Sequence, residues 1–186
     1  MDERLLKEII RQADEAGAND YVEWAGNVVV FNADDCGIES IEYLDMLMPQ
    51  LERLSVKNNK LKVLDLSGFS WLEEVNAENN NISKINVKSK NKITRLSVNN
   101  NELNSLPINL LTSIERLDCN SNNIEILYVN DCSRLSRLDC SNNNLTELAL
   151  DKLSKLSVLD CSDNKFSAGT ITFPVNARFT TFKAQR

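Results

Sequence analysis

The chain has 186 residues, 42% of them hydrophobic, and its 21 Lys and Arg stand against 27 Asp and Glu for a net charge of −6. That balance argues against electrostatic capture of nucleic acid or anionic lipid as the main activity, and the complete lack of His removes the commonest general base and metal ligand. No window approaches the roughly 18 apolar residues of a membrane span, and five cysteines without paired metal-type spacings fit a reducing compartment better than a disulfide framework.

Residues 1–27 read as an N-terminal helical cap. Leu5, Leu6, Ile9, Ile10 and Ala13 recur at helical spacing, charged residues occupy the rest of the turn, and Gly17 is a natural stop. Tyr21, Val22 and Trp24 extend that lid. The segment DERLLKEIIRQADE has no apolar core like that of a secretory signal, so the expected location is cytoplasmic, with export as an injected effector as the alternative.

Residues 28–166 are organised by one recurring string, L-x-x-L-x-[apolar]-x-x-N-x-L-x-x-L-x-[apolar], which starts at positions 28, 51, 72, 93, 114, 135 and 156. Five of the intervals are 21 residues and the first is 23. A fixed period of this length means a solenoid, whose apolar face is buried between coils. In L-x-x-L-x-[apolar] the last two apolar residues lie two apart and point to one side of a strand, so stacked coils build a parallel sheet. The second halves, such as LKVLDL and LTELAL, also alternate like short extended segments, while IESIEYLDMLM in the first coil can form a helical turn or two before Pro49.

The polar column Asn59, Asn80, Asn101, Asn122, Asn143 and Asn164 falls where each coil must turn, and a side-chain amide there satisfies peptide groups that burial would orphan. Cys36 takes this position in the first coil as a weak donor. Cys119, Cys140 and Cys161 occupy one inward position in successive coils; they read as small buried hydrophobes replacing Val56 and Val98, or as a thiolate ladder able to bind metal or sense oxidation. Cys132, in a connection, is expected to be the reactive thiol.

The outward strand positions form columns of their own. One runs Val30, Arg53, Glu74, Arg95, Arg116, Arg137 and Val158; its neighbour two residues on runs Asn32, Ser55, Asn76, Ser97, Asp118, Asp139 and Asp160. They read either as a self-neutralising charge lattice or as a docking surface in which arginine forks meet a partner's carboxylates. Trp71, in a connection, is a candidate anchor of that surface. Residues 167–186 close the chain as a C-terminal β-type cap: TITF and RFTTF are expected to form a hairpin or strand pair over the last coil, with Phe173, Phe179 and Phe182 as its apolar contact.

The strings LDCNSNNI, LDCSNNNL and LDCSDNKF resemble the short bacterial leucine-rich-repeat class, L-x-x-L-x-C-S-N-N-x-L. The resemblance implies an α/β fold, a curved right-handed leucine-rich-repeat solenoid with its parallel sheet on the concave face. It also implies a protein-binding role, since relatives of this type act as surface invasion proteins, secreted effectors or adaptors. The expected function is a monomeric, non-enzymatic module that binds another protein through Arg53, Glu74, Arg95, Arg116, Arg137, Asp118, Asp139, Asp160 and Trp71, with no cofactor, metal, nucleic acid or membrane. The alternatives are a secreted effector acting on host proteins, or a small metal-dependent enzyme built on Asp118, Asp139, Asp160 and Asp163.

Overall fold

A computed structural model describes residues 1–175 and 177–184. Its main feature is an eight-stranded parallel sheet in which each coil adds one three-residue strand. In spatial order the strands are β1 (Val30–Asn32), β2 (Arg53–Ser55), β4 (Glu74–Asn76), β6 (Arg95–Ser97), β7 (Arg116–Asp118), β8 (Arg137–Asp139), β10 (Val158–Asp160) and β12 (Thr181–Lys183). Register follows the repeat: Leu54 pairs with Val75, Leu96 with Leu117, and Leu138 with Leu159. Each coil advances by one strand spacing, so the seven steps span roughly 34 Å at about 4.8 Å each. Short strands also form on the opposite wall, where β3 (Val63–Asp65) pairs with β5 (Lys84–Asn86) and β9 (Leu148–Ala149) with β11 (Ile171–Thr172). In the coil between Ile93 and Ser113 that wall is instead a 3-10 turn, Ile108–Leu110.

The core is the stack of inward positions, from Phe31 through Leu54, Val75, Leu96, Leu117 and Leu138 to Leu159, all buried. A further inward column runs through the connections at the same spacing: Met48, Phe69, Leu111, Cys132 and Leu153 are all buried. It corrects the expectation for Cys132. Its connection folds back, with the Leu135 amide donating to Cys132 O at 2.9 Å and the thiol facing Leu111 O at 3.8 Å. Burial pushes that thiol up to about 11. Cys36 is the one cysteine that is not buried.

The asparagine column works as a ladder between coils. In Asn122, Oδ1 accepts from the Leu103 amide of the preceding coil at 3.0 Å, while Nδ2 donates to Val98 O at 2.9 Å and Cys119 O at 3.1 Å. Asn59, Asn80, Asn101, Asn143 and Asn164 each accept from a preceding-coil amide in the same way. Among the described residues no buried side-chain nitrogen or oxygen lacks a partner. The residue just before each ladder position is left-handed, with φ of 56° at Asn58, 52° at Asn100 and 51° at Asn142, which accounts for Asn, Asp or Ser there. Cys36 follows left-handed Asp35, and its thiol donates to Asp34 O at 3.2 Å as its place in the column suggests.

The N-terminal end is closed by α1 (Glu3–Glu15) and α2 (Tyr21–Gly26). Leu5, Ile9 and Ala13 are buried on the face of α1 turned to the first coil. Asp2 caps α1 by accepting from the Arg4 and Leu5 amides and uses its other oxygen to take the Glu39 amide at 2.8 Å, so one carboxylate both starts the helix and ties it to the array. The outer turn expected in the first coil is α3 (Leu44–Leu47).

The C-terminal segment covers the last coil, but not as a hairpin. Ile171–Thr172 and Thr181–Lys183 do not pair with each other; each runs parallel to the equivalent strand of the coil before it. Phe179, Phe182 and Ala184 repeat the spacing of Leu156, Leu159 and Cys161 after a 23-residue interval, and so begin an eighth coil. Phe173, Phe179 and Phe182 form an aromatic cluster, with ring centroids 5.3 to 5.8 Å apart. Asn176, Gln185 and Arg186, which the sequence assigns to this cap, lie outside the described residues.

Candidate functional site

Because strand residues alternate, the two polar columns necessarily share the outer face of the sheet. That face holds a groove of about 460 Å³ whose lining includes Val30, Arg53, Glu74, Arg95, Arg116 and Asp118. Arg137, Asp139 and Asp160 continue the same face on the next two strands. Trp71 does not join it. It lies in the connection leading to β4, half exposed, with the Lys92 ammonium 3.5 Å from its ring centroid.

The charges of the face pair in a pattern that their order in the sequence does not dictate. Asp118, only 4% exposed, accepts from Arg116 Nε at 2.5 Å and from Arg137 Nε at 3.3 Å. Arg95 pairs with Glu74 on the neighbouring strand. Asp139 takes no cation among the described residues; it accepts from Ser141 Oγ at 2.7 Å and Asn120 Nδ2 at 3.2 Å. Asp160 meets Lys183 at 2.9 Å. Burial alone would raise the Asp160 pKa, but hydrogen bonds from Ser162 and Lys183 hold it below the usual carboxylate value. Glu78 is likewise held low against its burial by Ser97 and Lys57.

Arg53 makes no ion pair or side-chain hydrogen bond among the described residues, and Val30 beside it is 48% exposed. The first strands of the groove therefore offer an uncommitted cation and an apolar contact. Sequence reasoning placed Val30 in the column without giving it a role; the signal was a valine where the next coils carry charge. Asp118, Asp139 and Asp160 are each engaged separately, and Asp163 sits at a left-handed turn position. Among the described residues no group of three or more Cys, Asp or Glu is placed to hold a metal ion. The cysteine ladder is buried throughout. Cys119 and Cys140 are fully buried and burial raises both thiols far above their ordinary value, while Cys161 is pushed up to about 11.

Comparison with known proteins places this geometry in a family context. The leucine-rich-repeat family model matches residues 134–156. The functional domain of InlJ from Listeria monocytogenes, described as including a cysteine ladder, is 30% identical over 79% of this chain, with a TM-score of 0.72. This chain spans 32% of the length of that one. Internalin C2, also from Listeria monocytogenes, aligns over the whole chain and 93% of its own length at 17% identity and a TM-score of 0.65, a likeness of fold. A leucine-rich-repeat protein of Leptospira interrogans gives 22% identity over 77% of this chain and 44% of its own, at 0.55, again a likeness of fold. No curated protein matches the sequence.

Proposed function

We infer, from the premise that this chain is a leucine-rich-repeat protein with short repeats like those of its bacterial neighbours, that it is a non-enzymatic module binding another protein across the concave strand face. Leucine-rich-repeat proteins generally bind other proteins. The observation that carries the reading is the division of labour within each strand. Inward positions stay apolar in every coil and the turn position is Asn from the second coil to the seventh, whereas the groove-facing column ranges over valine, arginine and glutamate. A scaffold that holds its own geometry with one set of residues leaves the other set free to specify a partner. The groove is polar and mixed in charge, with half-exposed arginines of the type favoured at binding hot spots. Five thiols, none paired with another, fit a cytoplasmic setting as part of this proposal.

Filling the groove tests it. Ser55 and Ser97 both line it, so Ser55→Trp with Ser97→Trp places two indoles where a partner would lie without touching the inward stack. Affinity capture from the source cell or its host should recover a protein with the wild type and lose it with this double variant. Equal recovery by a folded double variant would move the binding surface elsewhere.

A further inference from the structure

We propose that Arg116 and Arg137, oriented by the one carboxylate of Asp118, form a clamp for a carboxylate side chain on an acidic segment of the protein partner. This rests on the concave-face reading and adds to it the chemistry of what is recognised.

Three features carry the inference. First, both guanidinium groups give only Nε to Asp118, and none of their terminal nitrogens donates a hydrogen bond among the described residues. The two forks therefore retain the paired donors that meet a carboxylate in bidentate fashion. Second, the anchor is buried and the forks are not. The Asp118 side chain is 6% exposed, against 51% for Arg116 and 42% for Arg137. Two flexible side chains are thus held in place before any partner arrives, which lowers the entropy cost of engaging them. Third, Arg116 and Arg137 are register partners on adjacent strands, about 4.8 Å apart along the array, and Arg95 continues the row on the other side. An extended segment crossing the strands would meet the forks in succession.

Charge selects the occupant. Arg116 and Arg137 exceed Asp118 by one positive charge, which matches a single carboxylate, and Asp139, the register neighbour of Asp118 and without a cation among the described residues, further disfavours a phosphate dianion. The chain's net charge of −6 also opposes a polyanion such as nucleic acid. Asp118 is here a positioning residue, acting on the partner only through the two arginines.

The test uses fluorescence anisotropy with short fluorescein-labelled peptides in which glutamate alternates with serine, the same peptides with glutamine for glutamate, and a third set with phosphoserine. The full chain should bind the glutamate peptide about tenfold more tightly than the glutamine one, the scale of one charge-assisted hydrogen-bonded contact. Arg116→Lys with Arg137→Lys keeps the charge and loses the fork, and should abolish that preference. Asp118→Asn gives the decisive sign. Positioning predicts a severalfold weaker complex, whereas bulk attraction predicts a tighter one because a negative charge has gone. Equal affinity for the glutamate and glutamine peptides, an unaffected lysine variant, a tighter Asp118→Asn complex or a tenfold preference for phosphoserine would each overturn the clamp. Should Asp118→Asn fail to fold, the lysine variant decides alone. If the acidic peptide fails while the groove-filling variant still loses its captured partner, the clamp is wrong and the concave-face reading stands. If that variant captures normally, the reading itself fails.

Discussion

Replacing Asn122 by alanine removes four hydrogen bonds, but they are not equivalent. Val98 O also receives Asn101 Nδ2 at 3.0 Å and Cys119 O also receives Asn143 Nδ2 at 3.0 Å, so both carbonyls keep a donor. Among the described residues the Leu103 amide has only Asn122 Oδ1, at 3.0 Å in a buried site. An orphaned buried donor costs about 1–3 kcal/mol, and weakening the shared carbonyl contacts adds roughly 1, giving about 2–4 kcal/mol in all. With a urea m-value of about 2 kcal/mol/M, the unfolding midpoint should fall by roughly 1–2 M. The control is Asn123→Ala, whose exposed side chain makes no hydrogen bond among the described residues and whose loss should stay within about 0.5 kcal/mol. Circular dichroism and tryptophan fluorescence should be followed together, because a repeat array can lose two-state behaviour. Coincident midpoints for the two variants would refute the ladder argument.

Three further outcomes follow from the same contacts. A thiol reagent at mildly alkaline pH should label Cys36 first, although burial and Glu8 raise its thiol as well, and the other four cysteines only as the chain opens, since they are buried and it is not; rapid labelling of native Cys140 would contradict this. The Asp160 carboxyl is held below its unfolded value, so its contribution to stability is present above about pH 3.9 and is lost as pH falls through the lower folded value. Asp160→Asn should therefore flatten part of the acid limb of a stability curve, and an unchanged limb would count against the Ser162 and Lys183 contacts. Phe182→Ala opens the aromatic cluster at the eighth coil; hydrogen exchange should quicken at the Cys161 amide, which donates to Lys183 O at 2.9 Å, and stay slow at the Cys119 amide.

Most of the fold is written in the repeat because a 21-residue period fixes which residues stack. The inward leucines and the asparagine ladder needed no further information. The C-terminal strands escaped because the interval lengthens to 23 residues and phenylalanine replaces leucine, so FTTFKA reads as a β-prone run rather than a new coil. The burial of Cys132 is hidden in the sequence for a related reason: Met48, Phe69, Leu111, Cys132 and Leu153 form a column, but Lys90 interrupts it at a left-handed turn. On the concave face the columns were legible from strand alternation, while the pairing was not. Whether Asp118 or Asp139 takes Arg137 depends on rotamers across neighbouring strands, and Asp139 has serine and asparagine donors to satisfy it instead. Trp71 is an anchor candidate by residue type, yet its ring meets Lys92 and it is not among the residues lining the groove.

The central claim, that partner recognition belongs to the concave sheet, is tested most directly by site-specific photocrosslinking. A benzophenone side chain placed at Arg53 or Ser97 faces the groove, whereas one at Ile126 or Tyr128, both well exposed in the outer half of a coil, does not. Irradiation in the presence of the captured partner should give crosslinks from positions 53 and 97 and none from 126 or 128; crosslinks confined to 126 and 128 would contradict the account.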